Sequence, residues 1–314
     1  MGSDVHVLVH GPVELAELAR ELIGDLERRW SRFLPDSEVS EANRRAGSWT
    51  SVSADTLELV SRAVEGWQLT AGRFDPTVLG DVLRAGYDQS FDRIDRATDR
   101  NPVGSDLQRG AIGIGIDQAE GAIFLPTGTG FDPGGLGKGL AADLVATRLD
   151  DEGAAGALIN VGGDLRAVGV GPAGDDWTID LDPAAGGHPI ATVTLEQGAV
   201  ATSTTLRRTW QAGGRSMHHL IDPATGLPAS RGVVSASVLA GRGWRAEVLA
   251  KAALVAGVTD GIRLLTDAGA DGILVDDLGG LHPTAGFDRF GRVAVSAPGA
   301  AGMLPLPTAN GIAP

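Results

Sequence analysis

The sequence predicts an α+β fold of mixed helices and antiparallel strand pairs. Three observations carry it. Apolar residues recur at helical spacing in several long stretches. Short apolar or alternating stretches, bounded by glycine, proline or aspartate, lie between them. The two kinds do not alternate in the βαβ rhythm that a doubly wound parallel sheet requires.

Taken in order, VHVLV (5–9) reads as a strand. Leu15, Leu18, Leu22, Leu26 and Trp30 then fall on one helical face within Val13–Phe33. Ser53 is placed to cap a helix whose apolar face is Leu57, Val60, Val64 and Trp67. FDPTVLG (74–80) ends that region. A helix is expected over 139–149. GALIN (156–160) reads as a buried strand that GGD turns back into LRAVGV. WTIDL, IATVTL and AVATS are further strands, and HHLID (218–222) and VVSASVLA (233–240) follow with a turn between them. Helices are expected over 246–256 and 259–269, and GILVDD (272–277) is a strand. One domain is expected over 1–296, with a loose Pro/Gly/Ala-rich tail over 297–314.

The bulk numbers narrow the function. The chain has 314 residues, 43% hydrophobic and 21% charged, which suits a globular protein with a sizeable core. Its net charge of −14 argues against nucleic acid or an anionic membrane as the main partner. It has no cysteine, so disulfides, thiolate metal sites and cysteine nucleophiles are excluded. No run approaches 18 apolar residues, so no membrane span is expected. The N-terminus lacks a basic-then-apolar signal pattern, and the expected location is cytoplasmic.

Four stretches offer chemistry. FDPGGLGKG (131–139) looks like a phosphate loop, but a P-loop needs a glycine five residues before its GK pair and a hydroxyl after it. Asp132 and Gly139 stand at those places. The segment still leads into a helix N-terminus, where backbone amides, the helix dipole and Lys138 suit a phosphate. A plain glycine-rich connection fits as well. INVGGDL (159–165) suits a tight hairpin turn ending in Asp164. ATSTT (201–205) offers four hydroxyls, which could meet a phosphate or simply reflect strand preference. In HHLIDPATG (218–226) two adjacent histidines on a strand face opposite sides, so at most one lines a given pocket. That one is a candidate general base. FDPxxLG also occurs twice, at 74–80 and 131–137, which coincidence would explain.

Eight segments in register resemble the ApbE family of flavin transferases: MGS (1–3), SRFLPDSEVSEAN (31–43), FDPTV (74–78), FDPGGLGKGLAAD (131–143), LINVGGD (158–164), ATST (201–204), HHLIDPATG (218–226) and AEVLAKA (246–252). The resemblance implies an ApbE-like, T-fold-like arrangement of mixed sheets and flanking helices around a central FAD cleft. It implies an enzyme that moves FMN from FAD to a threonine of an acceptor flavoprotein and releases AMP. Some relatives instead hydrolyse FAD to FMN and AMP. By the same resemblance Met1, Asn43, Ala85, Gly86, Tyr87, Asp132, Lys138 and Ile221 should lie on FAD. His219 should act as the base, and Gly135 should offer a carbonyl to Mg²⁺.

The sequence departs from the family at that metal. The family's ADALATA gives Mg²⁺ an Asp and a Thr one helical turn apart. Here Glu247 and Lys251 stand there. A protonated lysine has donors and no acceptor, and so cannot ligate a cation. Deprotonating it at pH 7 costs about 4.6 kcal/mol from a reference pKa near 10.4. The expectation is that the Lys251 ammonium stands near the metal position, pairs with Glu247 across one turn and faces the pyrophosphate. Gly135 and Glu247 remain the candidate metal ligands. A non-catalytic FAD-binding protein with a degenerate metal site is the third reading.

Overall fold

The computed structural model describes residues 4–94, 98–99, 104–184, 186 and 188–293. Met1 and the 297–314 stretch lie outside the described residues. The centre is a seven-stranded, wholly antiparallel sheet in the order Val5–His10, Gly156–Val161, Asp164–Gly169, Gly198–Thr204, Val233–Ala240, Asp271–Asp276 and Leu281–Pro283. Gly162 and Gly163 join the second and third strands in a two-residue hairpin, with φ of +64° and +96°. Two positive φ values in succession match the twist of a tight hairpin, and glycine adopts them without steric cost.

Among the described residues seven α-helices accompany it: α1 (Glu14–Trp30), α2 (Glu38–Arg44), α3 (Ala54–Leu69), α4 (Leu79–Arg84), α5 (Gly137–Asp151), α6 (Gly243–Ala256) and α7 (Val258–Asp267). In α1 the fully buried stripe is Leu15, Ala19, Ile23, Leu26 and Trp30. Leu18 and Leu22 flank it, half-buried. Ser53 caps α3 as its sequence predicts, its hydroxyl accepting from Thr56 N. Helices α5 and α6 pack between the sheet and the other helices and are buried on most sides, which suits their alanine-rich sequences. A three-stranded sheet (Trp177–Leu181, Ala191–Leu195, Gly291–Val293) covers other strand residues through Leu165, Ile179, Val193, Val200 and Ile273.

One crossing positions the site. A Cβ on Gly139 would lie 2.3 Å from the Gly243 carbonyl oxygen, so α5 and α6 touch backbone to backbone near their N-termini. Asp143 of α5 then caps α6, its two oxygens accepting from Gly243 N (2.8 Å) and Trp244 N (3.0 Å). That borrowed cap lets α6 begin at Gly243, three residues before its sequence predicts. The histidine strand is also shorter than expected. It ends at His218, and pairing resumes at Ile221–Asp222.

Candidate functional site

A cleft of about 1110 Å³, open mouth included, lies between the α1–α2 connection, the two FDP segments, α6 and the His219–Pro223 stretch. Tyr87, Asp132, Gly135, Lys138, His219, Ile221 and Lys251 line it. The fold thus brings seven of the expected residues to one cleft. Asn43 does not line it. Its amide donates to Phe131 O (2.9 Å) and accepts from Phe131 N (2.7 Å), bracing the start of the FDPGGLG loop from behind. Ala85 and Gly86 also stand behind the wall, where the Ala85 carbonyl accepts from Trp210 Nε1 (2.8 Å).

The charged end is built by α5, α6 and the hairpin at Asp164. Lys138, in the first turn of α5, donates to both Asp164 and Glu247. Lys251, one turn after Glu247 on α6, donates to the same Glu247 Oε1 at 3.0 Å. The other Glu247 oxygen accepts from Gly139 N at 2.8 Å. One amide at the head of α5 is therefore engaged by a carboxylate, where the sequence had suggested a phosphate. Glu247 is 1% exposed. Burial opposes its charge, but Lys138 and Lys251 outweigh it and bring its pKa down to about 2. Burial also opposes the charge on Lys138, yet Asp164 and Glu247 hold its pKa above the ordinary lysine value. For Lys251 burial prevails, with Glu247 resisting and Lys138 assisting, and the net direction is downward.

Only one of the two histidines lines the cleft, as expected, although the strand ends at His218 and His219 lies in the bend after it. His218 Nε2 pairs with the Ala229 carbonyl at 3.1 Å, whereas His219 turns into the cleft. Burial, with Arg208 and Lys251 nearby, holds the His219 pKa well below its usual value, so the ring is neutral at pH 7. Its buried Nδ1 has no hydrogen-bond partner among the described residues. The ring itself lines the cleft, and a neutral imidazole there is suited to act as a general base.

Another part of the lining is aromatic and cationic. Arg32 lies over the Phe33 ring (4.1 Å) and the Tyr87 ring (4.9 Å), pairs with Asp132 (3.3 Å) and donates to Tyr87 O (2.9 Å). Tyr87 stacks tilted on Trp210 at 5.4 Å. Arg32, Phe33 and Asp164 were not among the expected site residues. Arg32 and Phe33 sit inside the quoted SRFLPDSEVSEAN segment, and Asp164 ends the quoted LINVGGD segment, where its expected place is a tight turn. The hydroxyls of ATSTT take the plainer reading. Those of Thr202 and Thr204 bond Ser237 Oγ (2.8 Å) and Val234 O (3.1 Å), and neither residue lines this cleft.

The residues present do not fit a divalent cation. Gly135 lines the cleft, but both oxygens of Glu247 already accept, from two ammoniums and an amide. Among the described residues no group of three or more His, Asp or Glu side chains could hold a metal. Two unit charges 4 Å apart repel by about 4 kcal/mol at an effective dielectric near 20, and an ammonium beside a divalent ion by about twice that. No helix among the described residues is long and apolar enough to cross a membrane.

The model of the ApbE family matches residues 1–274. An FAD:protein FMN transferase of Treponema pallidum is 28% identical over 259 residues, 76% of this chain and 71% of that protein. One of Vibrio cholerae is 29% identical over 251 residues, 77% of this chain and 73% of that protein. Among solved structures, the ApbE protein of Thermotoga maritima superposes with a TM-score of 0.77 at 28% identity, covering 92% of this chain and 94% of that one. The flavinyl transferase ApbE of Pseudomonas stutzeri gives 0.76 at 25% identity, covering 92% and 93%. With its α+β architecture, its cleft and a family match over most of its length, the chain belongs to the ApbE family.

Proposed function

We propose that this protein is an FAD:protein FMN transferase that moves FMN from FAD to a threonine of an acceptor flavoprotein and releases AMP. The observation that carries the reading is that a neutral imidazole, His219, and two lysines, Lys138 and Lys251, line the same cleft. Phosphoryl transfer asks mostly for positioning and charge neutralisation. In the step, the threonine Oγ bonds to the phosphorus on the FMN side. The bond from that phosphorus to the bridging oxygen breaks, and the bridging oxygen leaves with AMP. The hydroxyl proton goes to His219. Lys138 and Lys251 draw negative charge from the pyrophosphate oxygens, an interaction strengthened where water is excluded.

The remaining assignments follow the same reading. Asp132, Tyr87 and Ile221 contact FAD, and Asn43, Ala85 and Gly86 hold those contacts in place. Met1 is assigned to FAD from sequence alone. The activity belongs to one unit spanning 1–296, with 297–314 outside it.

Incubation with FAD, with and without an acceptor flavoprotein, tests the reading. Covalent flavin fluorescence on the acceptor, abolished by changing its target threonine to alanine, supports transfer. AMP release that needs no acceptor would identify an FAD pyrophosphatase instead. Retention of intact FAD under both conditions would identify a binding protein.

A further inference from the structure

Two half-buried lysines and two buried carboxylates form a charge set at the cleft wall. Lys138 bridges Asp164 and Glu247, and Lys251 adds a second ammonium to Glu247. Asp164 also accepts from Thr202 N at 3.3 Å, which ties it to the central sheet. The two positive and two negative formal charges cancel. Their placement is uneven, however: both lysines line the cleft, whereas the Glu247 and Asp164 side chains are only 1% and 5% exposed and do not. A ligand therefore meets an ammonium face whose counter-charges lie behind it.

The geometry points to a metal-free centre, in which Lys251 occupies the cation position and, together with Lys138, neutralises the FAD pyrophosphate without Mg²⁺. This rests on the cleft being the FAD site, as proposed above. The reasoning is steric and electrostatic. Glu247 Oε1 accepts from both ammoniums and Oε2 from Gly139 N, so a cation at Oε1 would have to displace an ammonium and one at Oε2 would share its carboxylate with two. Lys251 holds its place through a one-turn spacing on a buried helix, so it does not depend on a mobile segment. A lysine supplies charge and three donors but no ligand atom, so it replaces the metal and cannot assist it. A threonine at 251 would remove one ammonium from Glu247 and add a hydroxyl oxygen.

Mn²⁺ binding, followed by electron paramagnetic resonance, tests this without relying on turnover. Micromolar Mn²⁺ is added to the full chain, alone and saturated with FAD, and the six-line signal of the free aqueous ion is measured. The wild-type protein is expected to leave that signal at its buffer intensity in both states. Lys251→Thr, shown to be folded by its melting curve, is expected to diminish it by at least half at equimolar metal. In parallel, FMN transfer by the wild type should change less than twofold between EDTA and millimolar Mg²⁺. Stoichiometric loss of the free Mn²⁺ signal with wild-type protein overturns the proposal, as does a tenfold loss of transfer in EDTA. A folded Lys251→Thr variant that binds no more Mn²⁺ than wild type overturns the role given to Lys251. If no acceptor is ever flavinylated, the transferase reading fails, while the Mn²⁺ result still decides whether the centre takes a metal.

Discussion

The two FDPxxLG segments make the same turn and then deliver opposite charges. In FDPTVLG, Asp75 Oδ1 accepts from Thr77 N at 2.7 Å; in FDPGGLG, Asp132 Oδ1 accepts from Gly134 N at 2.8 Å. The segments lie side by side, with Asp132 N donating to Pro76 O at 2.8 Å, and each runs into a helix, α4 or α5. After the last glycine the first segment places Asp81 and the second Lys138. Asp81 turns to arginines, with Arg84 at 2.6 Å and Arg109 at 3.7 Å, and does not line the cleft. Lys138 turns to carboxylates and does line it. The shared residues specify a turn and a helix entry. The chemistry lies in the residue that follows and in the glycines that replace Thr77 and Val78.

The sharpest way to break this contrast is to remove the cation. Lys138→Met should lower FMN transfer by about 10²–10³-fold, the scale for losing one preorganised charge-stabilising donor. It should also cost roughly 3–5 kcal/mol in denaturant unfolding, because Asp164 and Glu247 are left buried together. Full transfer per folded molecule would make Lys138 as structural as Asp81. His219→Ala should lower transfer by about 10²–10⁴-fold with little change in FAD affinity, which fluorescence titration separates.

The same imidazole should leave a signature in stability against pH. Burial lowers the pKa of both His218 and His219 in the folded protein, whereas an unfolded imidazole titrates near 6.5. Below about 6.5 the unfolded chain binds more protons, so stability should fall as the solution is acidified from pH 7. The limiting slope is about 1.4 kcal/mol per pH unit per histidine. Urea melts from pH 7.5 to 5 should show this, with a shallower slope in His219→Ala; an unchanged slope would contradict a neutral buried His219.

Smaller effects should come from the turns. A Cβ on Gly135 would sit 2.4 Å from Phe74 of the first segment, so Gly135→Ala should cost about 1–3 kcal/mol by overpacking. Asp81→Asn, which weakens pairs with part-exposed arginines, should cost about 1 kcal/mol or less and leave transfer unchanged. A large loss of transfer in Asp81→Asn would erase the distinction between the segments.

What could be read from the sequence follows from how local each cause is. Trp177–Leu181 alternates buried and exposed residues along its length, and its bounds are those its sequence predicts. Val233–Ala240 is likewise found in full, as an apolar run between turns. Helix α2 was missed because seven residues with only Val39 and Ala42 buried carry too little period. The three-residue strands Trp49–Ser51, Gly115–Asp117 and Ala122–Phe124 form only because they pair with one another. In the site, the pairing of Glu247 with Lys251 was legible because one helical turn separates them. Asp164 was not, because Lys138 lies 26 residues away and meets it only once α5 packs on the sheet. The early start of α6 depends on Asp143, a hundred residues upstream of Gly243.

The most direct test of the account is a crystal structure of the full chain with FAD, grown in EDTA and then repeated in millimolar Mg²⁺. The account expects FAD in this cleft under both conditions, its pyrophosphate oxygens within hydrogen-bonding distance of Lys138 and Lys251 and His219 facing the phosphorus on the FMN side. Octahedral metal density between the Gly135 carbonyl and Glu247, with Lys251 displaced from its carboxylate, would contradict it.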